Sequence, residues 1–166
     1  MPADPVPVTY LDHAASTPMR PEAVEAMLPF LTTHHGNPSG RHAAARHARR
    51  AVDDARDAVA ALVGCRPGEV VFTSGGTESD VTALVGAVAA APGRVAVSSI
   101  EHAAVRAGAR AAARLGGEAV ELPVDDRGRV DLDVLAAELA TAPSTSIVSV
   151  GLANNEVGSI HPLDEV

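Results

Sequence analysis

Three short stretches carry residue types that folding alone does not ask for. In "FTSGGTES", Phe72 to Ser79, two glycines and a threonine stand between an apolar run and an alanine-rich segment. If a strand hands over to a helix there, unpaired backbone N–H groups and the positive end of the helix dipole face outward, with the Thr77 hydroxyl as a further donor. That is a cup for an anion. It is neither a P-loop, which needs Gly-Lys-Ser/Thr, nor the dinucleotide pattern G-x-G-x-x-G. Plain helix-start architecture with a capping threonine explains the same residues. His102 opens the next alanine-rich segment, where a histidine stacks on an aromatic ring, moves a proton, or simply caps the helix. Asn154, Asn155 and Glu156 directly follow "SIVSVGLA" and are poor strand material, so they read either as ligand contacts or as an Asx turn.

Other candidates carry less. His34-His35 and the His42/His47 pair lack the i,i+4 spacing that puts two imidazoles on one helical face, so no metal site is expected. Cys65, the single cysteine, supports neither a disulfide framework nor a thiolate metal cluster, and at a helix end it reads as a small buried hydrophobe. The nucleophile-elbow pattern G-x-S-x-G is absent. A formal net charge of −8 opposes a sequence-independent grip on phosphate backbones, so nucleic acid is not an expected partner. No basic segment followed by an apolar one opens the chain, and no run of about eighteen apolar residues occurs. The expectation is a cytoplasmic protein without a membrane span. All 13 basic residues are arginine, so the chain contains no lysine at all.

The elements that must position these residues alternate. Four β-type runs, "EVVFTS" from Glu69, "RVAVSS" from Arg94, "EAVELPV" from Glu118 and "STSIVSVGL" from Ser144, leave helix-length gaps over Thr77–Ala91, His102–Leu115 and Leu132–Ala140. Such alternation predicts an α/β fold with a mainly parallel sheet covered by helices, three layers in all. Ahead of it, a long helix over about Arg41–Val63 places Ala48, Ala51, Ala55, Val59 and Leu62 on one stripe, with Arg49/Asp53 and Arg50/Asp54 as i,i+4 pairs. A short helix is expected after Pro21, and "HHGNPSG" reads as a loop. With almost no aromatic residues, the core must be filled by Ala, Val and Leu. Ligands of open α/β sheets lie beyond the carboxyl ends of the strands. Gly75 to Thr77, Glu101 and His102, Asp125 and Asp126, and Asn154 to Glu156 all fall just past those ends.

Taken together, "YLDHAASTP" (10–18), "GNPSGRH" (36–42), "VVFTSGGTESD" (70–80), "SSIEHAAV" (98–105), "VDDRGRVDL" (124–132) and "NNEVGSIHPL" (154–163) resemble one family. It is the pyridoxal-phosphate-dependent cysteine desulfurases of the nitrogen-fixation and iron-sulfur-cluster type, within the class-V aminotransferase-like enzymes. The resemblance implies the N-terminal part of the large domain of a fold-type I transferase, with residues 1–20 as an arm and 21–166 as part of the cofactor-binding domain. It implies that Gly76 and Thr77 hold the phosphate of pyridoxal 5'-phosphate, that His102 stacks on its ring and serves catalysis, and that Asn155 bonds near the ring's 3'-oxygen. The activity implied converts L-cysteine to L-alanine and leaves a persulfide, whose sulfur passes to an acceptor or iron-sulfur scaffold protein; a homodimer is implied as well. Ala45 and Val81 depart locally from the family pattern.

The larger departure is the Schiff-base lysine, which a lysine-free chain cannot supply. The family's reactive cysteine and its carboxylate-binding arginine also find no match, and Cys65 lies in the wrong segment. The 166 residues therefore look like roughly the first two-fifths of such an enzyme. Alternatives are a non-catalytic paralogue that binds phosphate or dimerises, and a related selenocysteine lyase or kynureninase-like enzyme. The family's strand order also implies that "VVFTS" lacks its usual neighbours here, so the expectation is a piece that alone is poorly folded, rearranged, or held by a partner chain.

Overall fold

The chain divides between Phe72 and Thr73 into two units, each drawn from a continuous stretch of sequence. The computed structural model describes residues 9–141, 145–161 and 163–164.

In the first unit, α1 (Pro21–Thr32) begins with a proline where a missing N–H costs nothing. Helix α2 (Ala43–Val63) starts at His42, whose Nδ1 accepts the Ala45 N–H at 3.3 Å, and ends at Gly64 with φ of 73°. That left-handed stop suits glycine. The expected stripe on α2 is corrected: it is buried at fewer positions than the spacing predicts. Ala45, Ala48 and Ala60 are buried, whereas Ala55 is exposed and Leu62 is 85% exposed. Of the expected ion pairs, Arg49 meets Asp53 at 2.9 Å, and Asp53 also takes Arg56. Cys65, expected to be buried, is only half-buried just past the left-handed stop at Gly64.

The first expected strand does not form. Pro67–Glu69 makes a single 3-10 turn, and Val70 to Thr73 runs extended without joining a ladder. A strand requires a neighbour's N–H and C=O groups, and among the described strands none is offered to it. Arg56 substitutes in part: its Nε donates to the Val70 carbonyl and its guanidinium lies 5.4 Å from the Phe72 ring centre. Val71 remains 75% exposed.

The second unit is the layered one. Helix α3 (Gly76–Ala90) leads to β1 (Arg94–Ser98), α4 (Ala103–Arg114), β2 (Glu118–Leu122), α5 (Leu132–Thr141) and β3 (Thr145–Ser149). The strands are parallel in the order β2-β1-β3, with Arg94 opposite Glu118 and Val97 opposite both Glu121 and Ser149. Side chains alternate across β1. Val95 and Val97 pack with Leu84, Val88, Val105, Ala109 and Ala112 of α3 and α4 on one face. Ala96 faces the other, with Leu122 of β2, Val130 ahead of α5 and Leu135 within α5. Helices thus cover both faces, giving the expected three layers. Gly108 allows α3 and α4 to come close, since a Cβ there would stand 2.8 Å from Leu84 Cδ1.

Candidate functional site

The helices that carry the candidate residues run side by side. Val81 and Leu84, early in α3, lie against Gly108 of α4, while Val88 near the end of α3 lies against Gly117 beyond α4. The two helices are therefore parallel. Their N-termini share the sheet end to which β1 delivers the chain, so Gly76, Thr77 and His102 occupy the same edge.

At the start of α3, local bonds clear the cup rather than fill it. Glu78 turns back, its carboxylate accepting from both the Ser74 hydroxyl and the Ser74 N–H at 2.6 Å. The hydroxyl first and then the amide hold the Glu78 carboxyl below its usual range. Ser79 shares a 2.6 Å bond with Thr73. Among the described residues, the Gly76 and Thr77 N–H groups and the Thr77 hydroxyl have no partner, and no atom crowds the Cβ side of Gly75 or Gly76.

His102 proves to be a cap. Its Nδ1 accepts the Ala104 N–H at 3.1 Å, which starts α4 and leaves Nε2 as the protonated nitrogen of the neutral ring. Capping does not hide the ring, because His102 remains exposed. Glu101 beside it accepts from the Gly151 N–H at 2.6 Å and the His102 N–H at 3.3 Å, tying the end of β1 to the segment after β3.

The two asparagines separate. Asn154 is structural: its Oδ1 accepts from the Glu156 and Val157 N–H groups in an Asx turn, and its Nδ2 donates to the Ile100 carbonyl at 2.9 Å. That leaves the Asn155 amide open. A cavity of about 60 Å³ is lined by Ser98, Glu101, His102, Asn155 and His161, among others. A depression of about 260 Å³ shares Glu101, His102 and Asn155 and adds Arg106 and Glu156. Gly76 and Thr77 line neither.

Asp125, expected at the ligand edge, is instead consumed in a turn. It accepts from the Arg127 and Arg129 N–H groups and pairs with the Arg129 guanidinium at 2.8 Å. The Arg129 amide above all holds its carboxyl below the usual range. Two features escaped the sequence. His161 is 4% exposed and lines the cavity, but only tertiary placement buries it. His34 and His47, not neighbours in sequence, bring their rings to 4.2 Å beside Phe30 in the first unit.

The family model for aminotransferase class-V matches residues 9–166. The chain belongs to the class-V aminotransferase family. A cysteine desulfurase of Cereibacter sphaeroides is 45% identical over 93% of this chain and 41% of its own length. Among solved structures, a NifS-like protein superposes with a TM-score of 0.80 at 32% identity, covering 93% of this chain and 43% of that one. A structure described as SspA in complex with cysteine gives a TM-score of 0.81 at 30% identity over 95% of this chain and 46% of that one. The chain thus spans about two-fifths of the length of the curated relatives it matches. Within this class-V chain, no helix among the described residues is long and apolar enough to cross a membrane.

Proposed function

We propose that this chain forms one wall of a pyridoxal 5'-phosphate site in a cysteine desulfurase. The observation that carries the proposal is the convergence of an open helix N-terminus, an oriented histidine and an unengaged amide at one sheet end. The fit is chemical. Gly76 and Thr77 present N–H and hydroxyl donors suited to a phosphate, His102 offers a ring face fixed by its cap, and Asn155 offers an amide to a ring oxygen. When bound, the cofactor supplies an electron sink for bond cleavage at the substrate Cα. The residues of this chain bind and orient it. His102 holds a proton at Nε2, from which it can be exchanged with the substrate.

The substrate on this proposal is L-cysteine, released as L-alanine after its sulfur passes to a protein cysteine and then to an acceptor or iron-sulfur scaffold protein. The Schiff-base lysine and that cysteine belong to a longer polypeptide, in support of which stand the absence of lysine and the two-fifths coverage of the relatives. In it, residues 1–20 are an arm and 21–166 part of the cofactor-binding large domain, acting as a cytoplasmic homodimer. Because the chain has no lysine, a second reading is a paralogue that binds the cofactor without using it. Reconstituting the chain with a lysine- and cysteine-bearing segment of a relative, and assaying alanine and sulfide, separates the two: the desulfurase proposal expects both products.

Titrating the full chain with pyridoxal phosphate and following absorbance tests the site. Saturable binding without the visible internal-aldimine band is expected, weakened about tenfold by Thr77→Val or Asn155→Ala, the loss of one good hydrogen bond to a charged or polar group. Binding indifferent to both substitutions, or an aldimine band formed on a side chain, defeats the assignment.

A further inference from the structure

His161 sits at the base of the loop that presents Asn155, and its ring is bonded at one nitrogen only. Its Nδ1 accepts the Val130 N–H at 3.1 Å, a buried bond across 31 residues of sequence. An imidazole that accepts at Nδ1 carries its proton at Nε2 when neutral. Among the described residues, that Nε2–H has no partner, yet it does not count among the fully enclosed orphan atoms. His161 is 4% exposed and lines the cavity together with His102 and Asn155. The loop itself is a short hairpin. Ala153 bridges Ile160, the His161 N–H donates to the Leu152 carbonyl, and the Asn154 N–H donates to the Ser159 carbonyl, each at 2.9 Å for the two bonds. The Val130 bond thus anchors the base of the hairpin that carries Asn155.

We propose that His161 is a positioning residue of the pocket, pinning the Asn155 hairpin to Val130 through Nδ1 and turning its Nε2–H into the cavity shared with His102. This rests on the cofactor reading of that pocket. It predicts that an amide can replace the ring, since glutamine offers an acceptor to Val130 and a donor to the cavity, while leucine of similar bulk offers neither.

The test uses the full chain, ¹⁵N-labelled, with pyridoxal phosphate as the probe. Long-range imidazole NMR should show His161 as the Nε2–H tautomer, and its Nε2 resonance should shift on titration. His161→Gln should bind within about twofold of the parent, and His161→Leu should bind about tenfold more weakly. If the parent binds but the Nε2 resonance stays still, or if His161→Leu binds equally well, the inference is overturned while the cofactor site stands. If the parent does not bind at all, the cofactor site falls and takes this inference with it. Should His161→Leu fail to fold, the tautomer, the shift and the His161→Gln affinity decide the matter.

Discussion

Residues 9–72 bury Ala45, Ala48 and Ala60, while residues 73–164 bury Leu84, Val88, Val95, Val97, Val105, Leu122 and Leu135. Alanine lets helices approach closely but removes little apolar surface from water, whereas each buried Val or Leu contributes about 1.5–3 kcal/mol. In the first unit the larger apolar side chains stay out: Leu28 is 54% exposed, Leu31 72% and Leu62 85%. Every residue proposed to touch the cofactor lies in the second unit. The proposed pocket, which needs donors in fixed positions, thus lies in the unit whose core is made of large side chains.

Replacing Leu122, which is fully buried, by alanine should produce the largest effect, lowering unfolding free energy by about 2–5 kcal/mol in urea melts. The matching Leu62→Ala in the first unit should stay within about 0.5 kcal/mol; a comparable loss there would erase the contrast between units. Gly36→Ala should come next. A Cβ at Gly36 would meet the Ala44 carbonyl oxygen at 2.5 Å, a backbone atom that cannot swing aside, so the cost is roughly 1–3 kcal/mol by the same measurement. That would show that the first unit depends on close backbone contact rather than on large side chains.

The smallest effect expected is at Glu78. Its folded pKa is lowered by Ser74, so its stabilising contribution is present above the usual carboxylate range and is lost as pH falls through the lowered folded value. Glu78→Gln should therefore flatten the acid side of a plot of Tm against pH and leave low-pH stability unchanged. An unchanged acid slope would mean that the Ser74 bonds do not persist in solution.

Much of this was legible beforehand. The last three strands, the helices between them and the parallel order follow from alternation, because each apolar run has a neighbour to pair with. "VVFTS" has an equally good strand composition, but ladder membership is a property of pairs and cannot be read from one member. At the site, Gly76, Thr77, His102 and Asn155 stood out as residues past element ends. Position past the strand end could not tell Asn154 from Asn155, and only the family resemblance singled out Asn155, since which amide closes the turn depends on where the Ile100 carbonyl and the Glu156 amide stand. Nor could it find His161, whose importance is a matter of burial and of which ring nitrogen meets Val130.

The order β2-β1-β3 leaves two outer edges of opposite character. One carries Glu118 and Glu121, each bonded back to an arginine; the other, "TSIVS", carries no charge. Charged side chains on an edge discourage a second backbone from adding to it, and a neutral β-branched edge does not. On charge alone the β3 edge is the more permissive to an additional strand and the β2 edge the less. In concentrated solution, self-association should begin on that one side.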